Sequence, residues 1–266
     1  MSRRINFINP FGTTVYDSLI HETLSHYAME GTTLDITHLE GCPSDMDYFY
    51  PKHFVENALY AAIQDAEAAG YDAVICGCCY DPGVRVGREL TNMPIIGPME
   101  ASLQLLAYHG RTAVIVADHV KACSLMKDNA RLSGMEDLIV GYDVIDWYVR
   151  DMVNDTDAVA ADVIEVSRRA VEKTGAEAVI LNCTIISASY QKYLMKGGKP
   201  ADVPVLNPNL MALMMAETTA HLRSKGALQL SRAAFYAQPH DDHFRKVSEI
   251  TRKAWDATRP VRDQFF

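Results

Sequence analysis

Two short segments of the chain share one construction, and their repetition constrains the fold more than any other feature. Each starts after a glycine, runs from an acidic residue (Asp72 or Glu177) through Ala-Val-Ile, and reaches a cysteine (Cys78 or Cys183). The offset that aligns the two acidic residues also aligns the two cysteines. A glycine in this position is typical of a helix C-terminus. The pattern therefore predicts two related halves, each with a cysteine at an equivalent strand end.

Strand-like and helix-like segments alternate along the chain, which predicts an α/β protein with parallel sheets flanked by helices. Apolar runs predict strands at 4–10, 33–39, 93–97, 112–117, 137–144 and 203–206, and the two repeated segments predict strands that lead to Cys78 and Cys183. Helical segments follow them, with Thr13-Thr14 as the candidate cap of the first. The cycle restarts near Gly110, so we expect two domains, residues 1–103 with 208–266 and residues 104–207. A chain of 266 residues can bury a sizeable core in this arrangement.

The charge of the chain argues against polyanionic partners. A net charge of −9 disfavours nucleic acid and anionic membrane surfaces, although it leaves small anionic substrates open. The sequence has no apolar run long enough for a membrane span, and its N-terminal run is too short for a signal peptide. Six cysteines in such a chain favour free thiols in a reducing compartment, so we expect a cytoplasmic protein.

The position of Cys78 and Cys183 permits a specific reaction. Ligands of parallel α/β sheets bind outside the carboxyl ends of the strands, where both cysteines are expected. Two thiols that face one cleft can invert a carbon without a cofactor, because a thiolate removes a proton from one face while a thiol returns one to the other. A free thiol has a pKa of about 8.5. We therefore expect N–H donors or a helix N-terminus to lower the pKa of one cysteine.

The other cysteines are better explained by packing, since free cysteine is often a buried apolar residue. Cys76 lies inside a predicted strand, Cys42 in a loop and Cys123 on a helix. Alternation along the strand turns Cys79 away from the face that Cys78 occupies. The Cys-x-Cys-Cys spacing suits neither a zinc site nor a thiol redox motif at a helix start.

Neither a metal nor a cofactor is predicted. The segment His240-Asp-Asp-His243 has metal-ligand residue types, but acidic residues here are equally typical of a solvated helix start. A Gly-rich dinucleotide-binding loop is missing after the first strand, which argues against a nicotinamide cofactor.

Four motifs resemble the aspartate/glutamate racemase superfamily and its hydantoin racemase branch. They are Ile8-Asn-Pro with Thr13-Thr14, Cys78-Cys-Tyr-Asp-Pro-Gly83, Pro94-Ile-Ile-Gly-Pro-Met-Glu-Ala101 and Ala178-Val-Ile-Leu-Asn-Cys-Thr184. The resemblance implies two pseudo-symmetric α/β domains with the active site in the cleft between them. It also implies cofactor-independent racemisation of a small molecule by two cysteines, and a homo-oligomer.

The same resemblance suggests the site residues. Cys78 and Cys183 correspond to the two catalytic cysteines. The substrate-binding residues are then expected at neighbouring strand ends: Asn9, Thr14, Cys79, Tyr80 and Thr184. Turn capping is the alternative explanation for the Asn and Thr residues at these positions.

Departures from the family pattern leave the substrate open. Phe11-Gly12 stands where the family usually has a polar turn, and Asn182 precedes Cys183 in place of glycine. The aromatic loop 45–51 is a candidate pocket wall. We expect a racemase or epimerase of a hydantoin-like or allantoin-like carbon acid, or of an amino-acid derivative. A maleate-type cis–trans isomerase, an arylmalonate-type decarboxylase and a non-catalytic binding protein are the alternatives.

Overall fold

The computed structural model describes residues 2–238, 242–257 and 259. The elements up to residue 105 are β1 (Arg3–Asn9), α1 (Asp17–Tyr27), β2 (Thr32–His38), α2 (Lys52–Ala68), β3 (Ala73–Cys76), α3 (Val84–Leu90), β4 (Ile95–Ile96) and α4 (Pro98–Leu105). The next elements are β5 (Ala113–Ala117), α5 (Val120–Leu132), β6 (Ile139–Val144), α6 (Val149–Met152), α7 (Thr156–Thr174), β7 (Ala178–Leu181), α8 (Thr184–Met195) and β8 (Val205–Leu206). Two helices follow, α9 (Pro208–Ser224) and α10 (Asp242–Ala257).

Within the described residues the strands form two four-stranded sheets with equivalent orders, β2-β1-β3-β4 and β6-β5-β7-β8. All neighbouring strands in these sheets are parallel. Ile5 pairs with Ala73 in the first sheet, and Ala113 pairs with Ala178 in the second. Ala73 and Ala178 also hold matching positions in the repeated sequence pattern. The predicted α/β class with two pseudo-symmetric halves is confirmed.

The inner strands β3 and β7 place their carboxyl ends where a site can form. Every residue of both strands is buried. This burial is expected for parallel strands with helices on both faces, and it explains why their sequences are continuous apolar runs. The chain leaves each sheet directly after these runs, so Cys78 and Cys183 follow the strand ends closely.

The helix α9 returns the chain to the first sheet, where it contacts β3, β1 and α4. Its N-cap residue, Asn207, accepts hydrogen bonds from the backbone N–H groups of Asn209 at 3.0 Å and Leu210 at 3.4 Å. The helix α10 contacts α2. In the part of the chain that the structure describes, no helix is long and apolar enough to cross a membrane.

Two details differ from the sequence-based expectations. The first helix begins at Asp17 and has Tyr16 at its N-cap position without a side-chain cap, so the predicted capping role of Thr13-Thr14 is wrong. The apolar periodicity did not predict the bounds of α8, because the first eight residues of this helix are all buried and show no alternation of apolar and polar faces. His240 and Asp241 lie outside the described residues, and the structure of the last helix begins at Asp242.

Candidate active site

A small cavity of about 20 Å³ lies beside the carboxyl ends of β3 and β7 and is lined by both halves of the chain. Its lining residues are Phe11, Met46, Asp47, Cys78 and Tyr80 from the first half, and Asp118, Val149, Asn182, Cys183 and Thr184 from the second. The structure thus brings the two predicted catalytic cysteines to one cavity. Each is 8 % exposed.

Cys78 is positioned by a tight turn after β3. A side chain on the preceding residue, Gly77, would place its Cβ 2.1 Å from the Phe7 ring and 2.8 Å from the Ile8 carbonyl oxygen. Only glycine therefore lets the chain pass this close to β1. The turn then directs the backbone N–H of Tyr80 at the Cys78 sulfur, with a distance of 3.4 Å between nitrogen and sulfur.

Cys183 is positioned by the start of a helix. It is the N-cap residue of α8 and has extended backbone angles (φ −133, ψ 135), as N-cap residues usually do. The backbone N–H groups of Ile185 and Ile186 interact with its sulfur and favour the thiolate. The partial positive charge of the helix N-terminus acts in the same direction.

Burial nevertheless dominates the ionisation of both thiols. It raises the pKa of Cys78 to about 12 and holds the pKa of Cys183 well above its usual range. The carboxylate of Asp118 raises both further, whereas the backbone donors oppose the shift without reversing it. The prediction that one thiol pKa is lowered is therefore wrong for the protein alone. The expected donors are present, but the loss of water around each sulfur outweighs them.

Two of the five predicted substrate-binding residues line the cavity. Tyr80 extends its phenol there, and burial raises the pKa of that hydroxyl above its ordinary value. Thr184 also lines the cavity, and its hydroxyl donates to the Gly77 carbonyl oxygen at 3.2 Å, which links the two halves.

The other three predicted residues lie away from the cavity lining. Asn9 is fully buried and donates to Asp17 Oδ1 at 3.1 Å. Cys79 is 1 % exposed and does not line the cavity. Thr14 is exposed on the segment that leads into α1. These three do not join the two cysteines at the cavity wall.

Sequence patterns did not single out Asp118 and Asn182, which lie at the centre of the site. The Asp118 N–H donates to Asn182 Oδ1 at 2.9 Å, and Asn182 Nδ2 donates to Asp118 Oδ1 at 3.2 Å. Both residues follow strands directly, Asp118 after β5 and Asn182 after β7. The rule that ligands bind at carboxyl ends, applied to every predicted strand, would have identified them.

Asp118 is also part of a charge network with the loop before α2. His119 Nδ1 lies 3.1 Å from Asp118 Oδ1, and His119 Nε2 lies 3.2 Å from the carbonyl oxygen of Asp47. The Asp118 carboxylate raises the pKa of His119. The Nδ1 atom does not reach hydrogen-bond geometry, so the nearby carboxylate acts on the ring mainly through its charge.

The same three residues have the side-chain types of a metal site. Ligand atoms of Asp47, Asp118 and His119 all lie within 4.8 Å of one another. His119 Nε2 faces the main-chain oxygen of residue 47, whereas its Nδ1 and both carboxylate oxygens of Asp47 have no hydrogen-bond partner. The cluster therefore holds several polar atoms that the protein itself leaves unsatisfied.

The fold agrees with that of solved racemase structures. The allantoin racemase from Klebsiella pneumoniae superposes with a TM-score of 0.81 at 22 % identity, covering 91 % of this chain and 95 % of that one. At this identity the likeness establishes the fold. Residues 5–216 match the Asp/Glu/Hydantoin racemase family, and the chain belongs to that family. It is accordingly a racemase, an enzyme of the isomerase class.

Curated relatives match most of the chain at low identity. A hydantoin racemase from Pseudomonas sp. (strain NS671) is 24 % identical over 222 residues, which cover 84 % of this chain and 88 % of the relative. A hydantoin racemase from Paenarthrobacter aurescens is 22 % identical over 242 residues, covering 91 % of this chain and 99 % of the relative.

Proposed function

We propose that the protein racemises a carbon acid of the hydantoin or allantoin type, with Cys78 and Cys183 as its two bases. The observation that carries the proposal is the placement of one thiol from each half at a single small cavity. The relatives named as hydantoin racemases and the solved allantoin racemase support this substrate class. The proposed reaction requires no cofactor, because the two thiols carry out both proton transfers.

The mechanism is a proton relay across the substrate carbon. The thiolate of one cysteine takes the proton from the carbon next to the carbonyl, and the electron pair is delocalised onto the carbonyl oxygen. The thiol of the other cysteine returns a proton to the opposite face and becomes the thiolate. Burial makes each thiolate scarce but strongly basic, which suits a weakly acidic C–H bond.

The backbone and side chains around the cysteines supply the remaining functions. We propose that N–H groups at the start of α8 stabilise the negative oxygen of the intermediate, and that Tyr80 and Thr184 hold the substrate. Contacts of Asn9, Thr14 and Cys79 with substrate remain predictions from the family resemblance. Their positions away from the cavity lining suggest support of the site rather than contact.

The decisive experiment measures isotope exchange by NMR together with optical rotation in D₂O. Single enantiomers of 5-substituted hydantoins, allantoin, aspartate, glutamate and maleate serve as substrates. We expect exchange and loss of rotation with a ureide. Cys78→Ser and Cys183→Ser should each abolish racemisation, whereas Cys123→Ser, which changes a half-buried thiol outside the cavity, should not. Full activity of either cavity variant would exclude the two-base mechanism.

The panel also separates the alternatives. A cis–trans isomerase would convert maleate, but the carboxyl groups of Asp47 and Asp118 in the cavity wall oppose a dianion. A decarboxylase would need only one of the cysteines. A binding protein would show no exchange and no reactivity of either cavity thiol.

We propose further that the protein is a cytoplasmic homo-oligomer. Exposed aromatic side chains around the start of α2 support an interface: Tyr48, Phe49, Tyr50 and Phe54. The Met-rich segment 210–215 of α9 supports it less, since Ala212 and Leu213 are buried and Met214 is the one exposed residue of this segment. The absence of disulfides among the described cysteines fits a reducing compartment. Sedimentation velocity tests the assembly, and a monomer at micromolar concentration would exclude it.

A further inference from the structure

Asp47 is a buried carboxylate that the cysteine chemistry does not use. It lies in the loop before α2, lines the cavity, and is 2 % exposed. Neither of its side-chain oxygens has a hydrogen-bond partner in the protein. The backbone N–H of Val149 lies close enough to favour its ionised form but does not reach hydrogen-bond geometry.

The surroundings of Asp47 make its unpaired carboxylate energetically unfavourable unless a ligand in the cavity donates a hydrogen bond to it. The carboxylates of Asp45 and Asp118 are close enough to repel its charge. A ring nitrogen of His119 lies within 4.8 Å of the Asp47 carboxylate and partly offsets this repulsion, but it makes no hydrogen bond to that carboxylate. A buried polar group without a partner is destabilising, and such groups in native proteins commonly have a functional explanation.

A second unpaired polar group lines the same cavity. The hydroxyl of Tyr80 is buried, has no hydrogen-bond partner and lies within electrostatic range of Asp47. Burial keeps this phenol protonated, so it offers an O–H donor. The cavity therefore presents one strong acceptor and one donor that the protein itself leaves unsatisfied.

We infer that Asp47 and Tyr80 together recognise an N–H–C=O edge of the substrate. The Asp47 carboxylate accepts the N–H, and the Tyr80 hydroxyl donates to the adjacent carbonyl. The pair then selects ring ureides and imides and rejects substrates that carry a carboxylate at this edge. This assignment rests on the proposed function and specifies which side chains determine its substrate class.

An N–H donor for Asp47 could come from a ring N–H or from the ammonium group of an amino acid. The two sources share the same chemistry toward a carboxylate. Only the ring N–H is adjacent to a carbonyl within one planar group, which is the geometry that the donor of Tyr80 complements. The experiment therefore includes both classes of ligand.

The test measures dissociation constants by calorimetry in the Cys78→Ser background, so that turnover is not required. The ligands are a 5-substituted hydantoin, its N1-methyl and N3-methyl derivatives, and the corresponding free amino acid. The protein variants add Asp47→Leu, Asp47→Asn or Asp45→Asn. Asp45→Asn is the matched control, because it removes a carboxylate two positions away that does not line the cavity.

We expect one of the two N-methylations to weaken hydantoin binding to the parent protein, Cys78→Ser, about tenfold to a hundredfold. This is the range expected for the loss of a hydrogen bond to a charged group. The same methylation should have less than about a threefold effect in Asp47→Leu, whereas Asp45→Asn should behave like the parent. Comparing the two ligands in each variant removes the steric effect of the methyl group. In Asp47→Asn, which keeps an oxygen acceptor, the effect of N-methylation should be intermediate. This variant also provides the measurement if Asp47→Leu does not fold.

The outcomes separate this inference from the proposed function. Equal methylation effects in the parent and in both Asp47 variants would overturn the role of Asp47, even if the wild type racemises hydantoins. Loss of the methylation effect in Asp47→Leu, with no racemisation by the wild type, would support the role and reject the proposed function. Tighter binding of the free amino acid than of the hydantoin, lost in Asp47→Leu, would overturn the ring-edge assignment.

Discussion

At the level of single residues, burial gives the two cavity thiols their base strength and also limits how often they ionise. A thiolate whose conjugate acid has a pKa of about 12 is a far stronger base than a thiolate in water, but little of it is present at pH 7. The substrate must therefore meet a rare and strongly basic form of the enzyme. The backbone donors at each sulfur reduce this penalty without removing it.

The raised thiol pKa values predict a steep pH dependence of racemisation. In the proposed mechanism the active form carries one thiolate and one thiol, and both pKa values lie above the neutral range. The singly ionised form therefore increases about tenfold per pH unit as pH rises from 7 to 9. We expect kcat/KM to follow this slope, measured by exchange in buffers of constant ionic strength. A flat profile would mean that the thiolate already forms at neutral pH.

A second prediction at this scale concerns stability. Burial, then Asp45 and Asp118, raise the pKa of Asp47 to about 6 from its ordinary value near 4. A carboxyl with a raised pKa opposes folding once it ionises, so its cost is absent below pH 4 and complete above pH 6. Asp47→Asn should then stabilise the fold at pH 7 by about 1–3 kcal/mol, an order-of-magnitude figure from the shift in pKa. Urea unfolding at pH 4 and pH 7 measures it, and an equal effect at both would exclude this cause.

At the level of elements, the sequence predicted the strands well because apolar runs and glycine stops are local signals. It predicted Cys78 and Cys183 at strand ends for the same reason. It did not predict that Asp47 meets His119, since that contact joins a loop to a distant strand end and depends on how the two halves pack. It also missed that α1 begins without a side-chain cap, with Tyr16 at the N-cap position, because such a start has no sequence signature.

The junction between α8 and α9 yields a prediction about element positioning. Asn207 caps α9 through its side-chain oxygen, and its Nδ2 donates to the Ser187 carbonyl oxygen of α8 at 2.9 Å. Asn207→Ala removes both interactions and should destabilise the protein by about 2–3 kcal/mol. It should also lower turnover, because α8 carries Cys183 at its N-terminus.

Asp155→Ala is the matched control for that prediction. Asp155 caps α7 through one hydrogen bond to the Ala158 N–H at 2.9 Å and makes no contact with the cavity lining. Loss of this cap should lower the free energy of unfolding by about 1 kcal/mol and leave turnover unchanged. Thermal unfolding and initial rates measure both effects. Equal losses of turnover in the two variants would contradict a specific role for the α8–α9 junction.

At the level of the whole molecule, the repeated half explains why the site lies between two sheets. The equivalent strands β3 and β7 are each followed, two residues after their last residue, by Cys78 and Cys183, so a pseudo-symmetric pairing of the halves brings both thiols to one cavity. We propose the domain boundaries expected from the sequence, residues 1–103 with 208–266 and residues 104–207. The packing of α9 on the first sheet supports this division. The sequence could predict the repeat, whereas contacts between the halves depend on three-dimensional packing.

One of those contacts gives a prediction for the interface between the halves. The Thr184 hydroxyl from the second half donates to the Gly77 carbonyl oxygen of the first half at 3.2 Å, and Thr184 is buried. Thr184→Val keeps the shape of the side chain but removes the donor. We expect a loss of about 1–2 kcal/mol in the free energy of unfolding, since a buried carbonyl loses a partner.

We also expect a lower kcat, because Gly77 precedes Cys78 and Thr184 follows Cys183, so this bond fixes the two thiols relative to each other. Thr184→Ser retains the hydroxyl and should restore most of both losses. If Thr184→Ser and Thr184→Val lower kcat equally, the methyl group rather than the bond between the halves holds the site together.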